Sequence, residues 1–360
     1  VSNGLQTKRD EWVYDFDETT LRKKVIALIA GYERAREDPE AAQLNEIKWD
    51  RELTRRREKR VKITYDGAKV RKATYRPFTE KYVYFDRDLN SQSFRLHDMY
   101  DVAGEDGRGN ANTNPTIAFL CKASSNPLAV LATNGLFDTC LLKKGNGSTQ
   151  GVTRWRLTKE RKRIDNITDW ATDKFRSFYE DKAITKDAIF AYVYAVLHDP
   201  IYRELYALNL RREFPRIPFY ADFKKWREWG SRLLALHTEY ETAEPFPLMR
   251  TDTRAASEIG TPRVILKADR QKGIVVLDTV TQLSGIPPAA WQYSLANRSA
   301  IDWVLDQHKE RKPEDLNVRG KFNSYRFSDH KKLLIPLLKR VVRVSLDTVE
   351  ITEAMRALGR

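Results

Sequence analysis

The spacing of apolar residues changes period along the chain, and each change marks a different kind of element. From Thr19 to Tyr32 the positions Leu21, Val25, Leu28 and Ile29 recur every three or four residues, which predicts an amphipathic helix. A second helix is predicted over Glu40 to Lys59, with Leu44, Ile47 and Leu53 on one side and Pro39 near its start. Short β-branched and aromatic runs at 61–65, 70–75, 81–86, 116–121 and 127–133 then read as strands. The Gly-, Asn- and Asp-rich stretch Gly104–Asn114 reads as a loop, as does Gly145-Asn146-Gly147-Ser148. From Thr168 the spacing returns to three and four, predicting helices over 168–180, 185–198, 199–212 and 222–240, with Pro215 closing the third. Strands return at 262–267 and 273–278, before helices at about 299–310, 328–343 and 346–357. Seams near 60, 166 and 250 give a helical segment 1–60, a β-rich half 61–165, a helical unit 166–250 and a mixed unit 251–360. The fold class is therefore α+β, a β-rich subdomain with a mixed or antiparallel sheet joined to helical subdomains.

Composition narrows the class. A chain of 360 residues with 41% hydrophobic and 11% aromatic positions buries a sizeable core. No apolar run approaches the roughly 18 residues of a membrane span, and no signal segment opens the chain. Cys121 and Cys140 are too few for a disulfide framework or a zinc cluster, which fits a reducing cytoplasm. The first residue is Val1, as expected of a piece of a longer polypeptide.

Charge changes the picture most. The formal net charge is +14. Residues 51–72 hold ten Lys/Arg against three acids, and residues 143–163 hold eight against one, so two blocks of +7 contain the whole excess. Such concentrated positive potential attracts phosphate and gains from counterion release; the plainer reading is a solvated basic face. Neither block alternates with a long apolar helical face, so no membrane partner is expected.

Catalytic chemistry is missing. No Gly-rich loop ends in Gly-Lys-Ser/Thr, and Gly104-Glu105-Asp106-Gly107-Arg108-Gly109 is not followed by a helix. Asp199-Pro200-Ile201-Tyr202 lacks the second proline of an adenine-gripping tetrad and reads as a helix cap with proline at the first helical position. Asp38 with Glu46-Ile47-Lys48 lies on or beside a polar helix, where such residues face solvent rather than converge on a metal. The five histidines have no metal-ligand spacing. No catalytic residue and no metal ligand is assigned.

The residues suited to nucleic acid fall in the two blocks. Arg51, Arg55, Arg56, Lys59 and Arg60 form a band on the second predicted helix, suited to phosphate contacts. Arg154, Arg156, Lys159, Arg161, Lys162 and Arg163 surround Trp155, a mixture that fits a backbone-tracking surface or a core tryptophan with a solvated rim. Base reading needs donors and acceptors on a positioned loop; Lys143, Lys144, Asn146, Ser148 and Gln150 offer them around two glycines, and an ordinary solvent loop is the alternative. Arg76, Asn297 and Arg298 suit either DNA or a structural lock, Asn297 or Ser299 being placed to cap the next helix. The Tyr192/Tyr194 and Trp226/Trp229 pairs read as core.

Ordered landmarks carry a resemblance. They are Gly4 to Tyr14, with a Gly-x-x-Thr-x-Arg-Asp pattern; Tyr75-Arg76-Pro77-Phe78 with Tyr82-Val83-Tyr84-Phe85-Asp86; Tyr192 to Arg203; and Pro215-Arg216-Ile217-Pro218-Phe219. Ile286 to His308 adds Pro287-Pro288, Trp291-Gln292-Tyr293, Asn297-Arg298-Ser299, Trp303 and Asp306. Together they resemble the C-terminal target-recognition region of type ISP restriction–modification enzymes and their predicted DNA methylase–helicase relatives. The resemblance implies sequence-specific binding of double-stranded DNA, with nuclease, ATP-driven translocase and adenine-N6 methyltransferase upstream in the same polypeptide. S-adenosylmethionine, ATP and Mg would serve those upstream domains, and this chain would hold no cofactor. The alternatives are the specificity domain of a nuclease-free phage-defence adenine methyltransferase, and a basic protein-interaction module.

Overall fold

The computed structural model describes every residue except 45, 101–113, 121–126, 143–147, 161, 254–261, 324 and 359–360. Strands between residues 2 and 153 are shared by two four-stranded sheets. One orders Tyr14–Asp15, Thr79–Tyr84, Val70–Arg76 and Leu136–Phe137, antiparallel except for the last pairing. The other orders Ser2–Asn3, Gln150–Thr153, Thr116–Leu120 and Ala129–Thr133, antiparallel throughout. A third sheet of four, Met249–Asp252, Thr281–Ser284, Ile274–Asp278 and Val264–Asp269, is also antiparallel. The fold is α+β, as the periodicity predicts.

Several elements differ from their expected extent, each for a local reason. The helix expected over 40–59 is broken into a 3-10 turn, Pro39–Leu44, and a helix, Arg51–Glu58. Between them Ile47 is buried against Gly31 of the Glu18–Glu37 helix, where a Cβ would stand 2.6 Å from the Ile47 side chain. Asp50 then restarts the helix, its carboxylate accepting the Leu53 amide at 2.8 Å. The stretch 61–65 is not in a sheet: the Tyr32 hydroxyl donates to the Val61 carbonyl at 2.7 Å, and the Ile63 amide donates to Glu33 at 2.8 Å. A neighbouring helix thus satisfies the backbone groups that a strand would have offered to a ladder. The helix expected over 199–212 is interrupted at Tyr206, giving Pro200–Leu205 and Ala207–Leu210. Asp199 caps the first of these by accepting the Ile201 amide, with Pro200 at the first helical position.

The two terminal helices expected at 328–343 and 346–357 are one, Phe327–Ala357, which carries Pro336 in its interior. Val344 and Ser345 at the expected gap are buried, and the Ser345 hydroxyl is bonded to the Val341 carbonyl at 2.7 Å. This helix enters both hydrophobic cores. The larger core gathers Trp12, Leu28, Val83, Phe137, Leu277, Trp303, Leu338 and Val342 among others. The second packs the Thr116–Leu120 and Ala129–Thr133 strands against the Lys186–His198 and Phe223–Thr238 helices, with Ile351 and Met355 from the end of the long helix. Tyr192, Tyr194, Trp226 and Trp229 lie in that second core, as expected.

Candidate nucleic-acid interface

The second basic block folds into a two-stranded antiparallel ribbon that the sequence did not predict, Trp155–Leu157 paired with Arg163–Asp165. The Thr158 amide donates to the Lys162 carbonyl at 2.9 Å and closes its turn. Its root is fixed from both sides. The Asn114 side chain accepts the Trp155 amide at 3.0 Å and donates to the carbonyls of Trp155 and Met99 at 2.9 and 3.0 Å. Asn166 donates to the Thr153 carbonyl at 2.8 Å. Arg156, Lys159, Lys162 and Arg163 are exposed on the ribbon and have no ion-pair partner among the described residues. Arg161 lies outside the described residues.

Arg154 is different. It is 4% exposed, bonds Asp165 at 2.6 Å and Asp187 at 2.5 Å, and stacks 3.8 Å from the centre of the Trp155 ring. Its hydrogen bond holds the Asp165 carboxyl below its ordinary range. The expectation of a phosphate contact is therefore corrected for Arg154: its charge is neutralised inside the fold, where it stiffens the ribbon root. Arg56 is half-buried and held in place, donating to the Arg87 carbonyl at 2.8 Å and facing the exposed Asp88 at 3.4 Å. Arg51, Arg55, Lys59 and Arg60 remain exposed and unpaired among the described residues; the first three repeat every four residues and share a side of the helix and its cap.

One stretch of chain supports both basic elements. Residues 87–88 receive Arg56, while Met99, in the His97–Tyr100 turn of helix, is bonded to the Asn114 side chain that holds the ribbon. Nothing in the sequence singles out Asn114, because a lone Asn at the end of a loop is indistinguishable from any other.

Of the residues proposed to read bases, Lys143, Lys144 and Asn146 lie outside the described residues. Ser148 is half-buried and donates to Asn3 at 3.3 Å. Gln150 is not on a loop: it opens an interior strand, opposite Asn3 on one side and Phe119 on the other. Arg76 and Arg298 take structural positions. Arg76 is paired with buried Asp138 at 2.7 Å and lies 3.9 Å from the Tyr75 ring centre. Arg298 reaches Asp306 at 3.2 Å across the Trp303 ring, while Asn297 is exposed in the turn and Ser299 caps the Ala300–Gln307 helix. Among the described residues no group of His, Cys, Asp or Glu is placed to hold a metal ion, and no helix is long and apolar enough to cross a membrane.

A family model described as the type ISP C-terminal specificity domain matches residues 1–337. A structure of the DrdV–DNA complex is 40% identical over 100% of this chain and 36% of its own, with a TM-score of 0.90. A nuclease-deletion mutant of the type ISP enzyme LlaGI, solved with a DNA substrate mimic, is 24% identical over 98% of this chain and 32% of its own, with a TM-score of 0.79. The ATP-dependent type ISP enzyme LlaBIII, bound to DNA, is 20% identical over 98% of this chain and 23% of its own, with a TM-score of 0.82. At those last two identities the likeness establishes a common fold. The chain thus spans about a third or less of the length of each of these proteins. A comparison with curated proteins gives no match.

Proposed function

The chain belongs to the type ISP C-terminal specificity domain family, and from that premise we propose that it binds duplex DNA and selects the sequence on which a restriction–modification polypeptide acts. The observation that carries this reading is the sorting of the basic blocks into two populations. Arg154 is neutralised within the fold and Arg56 is held against the 87–88 stretch, whereas Arg156, Lys159, Lys162 and Arg163 on the ribbon and Arg51, Arg55, Lys59 and Arg60 on the helix are exposed with no ion-pair partner among the described residues. A two-stranded ribbon has the width to enter a major groove, and the helix band suits the sequence-independent contacts that set register on the duplex. For base reading the candidates remain Lys143, Lys144 and Asn146, with Ser148 and Gln150 following them in sequence.

In this reading S-adenosylmethionine, ATP and Mg are handled elsewhere in the polypeptide, by methyltransferase and helicase domains, and the DNA is cytoplasmic. The residues of this chain do not fit a motor or a methyl-transfer centre, since the sequence has neither a phosphate-binding loop nor an Asn/Asp-Pro-Pro-aromatic tetrad.

Fluorescence anisotropy with cognate and scrambled duplexes over stepped salt tests the proposal. With about six phosphates neutralised, log K falls against log salt with a slope of roughly −5. An affinity that does not change between low and moderate salt removes the electrostatic interface. Equal binding of heparin and of both duplexes favours a general polyanion-docking module instead.

A further inference from the structure

A cavity of about 270 Å³ opens between the N-terminal segment Glu11–Lys24, the Thr79–Tyr84 strand and the stretch 307–325. None of its lining residues belongs to the two basic blocks, yet it carries Lys24, Lys81, Lys309, Arg311 and Lys312 against the acids Glu11 and Asp15. The acids are already engaged. Glu11 accepts the backbone amides of Glu314 and Asp315 at 2.8 and 2.9 Å, and Asp15 is paired with Lys24 at 2.7 Å. Arg311 is paired with Asp306 at 2.8 Å. That leaves Lys81, Lys309 and Lys312 without a direct ion-pair or hydrogen-bond partner among the described residues.

Lys81 is the telling member. Its ammonium group is partly buried, 4.2 Å from the Tyr75 ring centre and 4.6 Å from that of Phe16. Aromatic faces attract a cation, but by less than the removal of a lone ammonium from water costs. Tyr75 also carries Arg76 on its ring, so the cation next to Lys81 adds repulsion. Burial first, then Arg76 and Lys24, bring the Lys81 ammonium down to about 8, against the opposing pull of Asp15 and Asp10. Lys309 and Lys312, exposed at the rim, add two cations over the same opening.

We propose that this cavity is an anion site, completed by a phosphate group that Lys81 meets from inside and that Lys309 and Lys312 meet from the rim. The phosphate comes from a free phosphate ester or from a nucleic-acid backbone. The site itself stands apart from the DNA-binding reading, and only the second source rests on it.

Calorimetric titration of the 360-residue chain with inorganic phosphate and with deoxyadenosine monophosphate, at pH 7 and constant ionic strength, tests the site. One saturable phosphate per chain is expected. Lys81→Met should weaken it at least tenfold, and the exposed pair Lys309→Ala/Lys312→Ala, which leaves packing alone, should weaken it several-fold. If Lys81→Met does not fold, the rim variant still decides. Displacement of the phosphate by a short duplex assigns the site to the backbone, and retention of phosphate beside bound duplex assigns it to a free ester; either supports the site. Absence of saturable phosphate binding by the unmodified chain, or equal binding by both variants and the unmodified chain, overturns it. An unmodified chain that binds duplex but shows no saturable phosphate binding leaves the DNA reading intact while the cavity proposal fails.

Discussion

Single residues in this chain are legible in proportion to how local their role is. Asp199 could be assigned as a helix cap from neighbouring residues alone, and it is one; the next cap is narrowed to Asn297 or Ser299, and Ser299 takes it. Arg76 could not be assigned in this way, because its partner Asp138 lies 62 residues away and no spacing rule links them. That pair is buried, and burial pushes the Asp138 carboxyl up against the opposing pull of Arg76 and the Cys140 amide. Arg76→Met should destabilise the chain by about 3 kcal/mol, since it strands a buried carboxylate. Urea unfolding reads this, and Arg76→Met with Asp138→Asn should recover part of the loss. A loss below about 1 kcal/mol would show that the pair is solvated. The histidines give a pH signature. Burial brings His237 down to about 3 and His308 to about 4, so both are neutral in the folded chain at pH 7. The unfolded chain protonates them near 6.5. Their stabilisation is therefore complete above about 6.5 and is lost as pH falls toward 4 for His308 and 3 for His237. Melting temperature should drop from pH 7.5 to 5, and His308→Gln should flatten the drop; an unchanged slope would assign the acid sensitivity to other groups.

At the scale of elements, periodicity located most of the helices and apolar strands, but it split the Phe327–Ala357 helix in two and missed elements with polar sequences. Gln150-Gly151-Val152-Thr153 has one large apolar residue, and Arg163-Ile164-Asp165 also has one, so neither stands out from a loop. For that reason the basic block was visible as charge while its shape was not. Nor could charge alone separate Arg154, locked between Asp165 and Asp187, from Arg163, nine residues further on but exposed. The distinction is testable. Replacing Lys159, Lys162 and Arg163 together by Ala should leave the melting temperature nearly unchanged. It should also make the salt dependence of duplex binding shallower, by up to about 0.9 in slope per lost phosphate contact. Arg154→Ala should instead cost roughly 1–3 kcal/mol of stability, seen as a lower urea midpoint. A triple variant with unaltered slope would place the DNA away from the ribbon.

Across the whole molecule, the apolar side chains assemble over long distances in sequence. The larger core draws on residues from Leu5 to Val344, and Tyr240 and Leu248 join it from the end of the central helical stretch. Such long-range association leaves no trace in a local window of sequence. The Phe327–Ala357 helix illustrates it: Leu334, Leu338 and Val342 serve one core and Ile351 and Met355 the other, although the sequence read as two separate helices. An amide in the middle of that helix is released to solvent only when both cores open. In deuterated water the backbone between about 338 and 350 should consequently be among the last to exchange, at a rate set by global unfolding, while the ribbon tip exchanges early. Mass spectrometry of peptides from the two regions would report the difference directly. Any ligand that grips either core should then slow deuterium uptake at the middle of the helix, so that one peptide registers events at both ends.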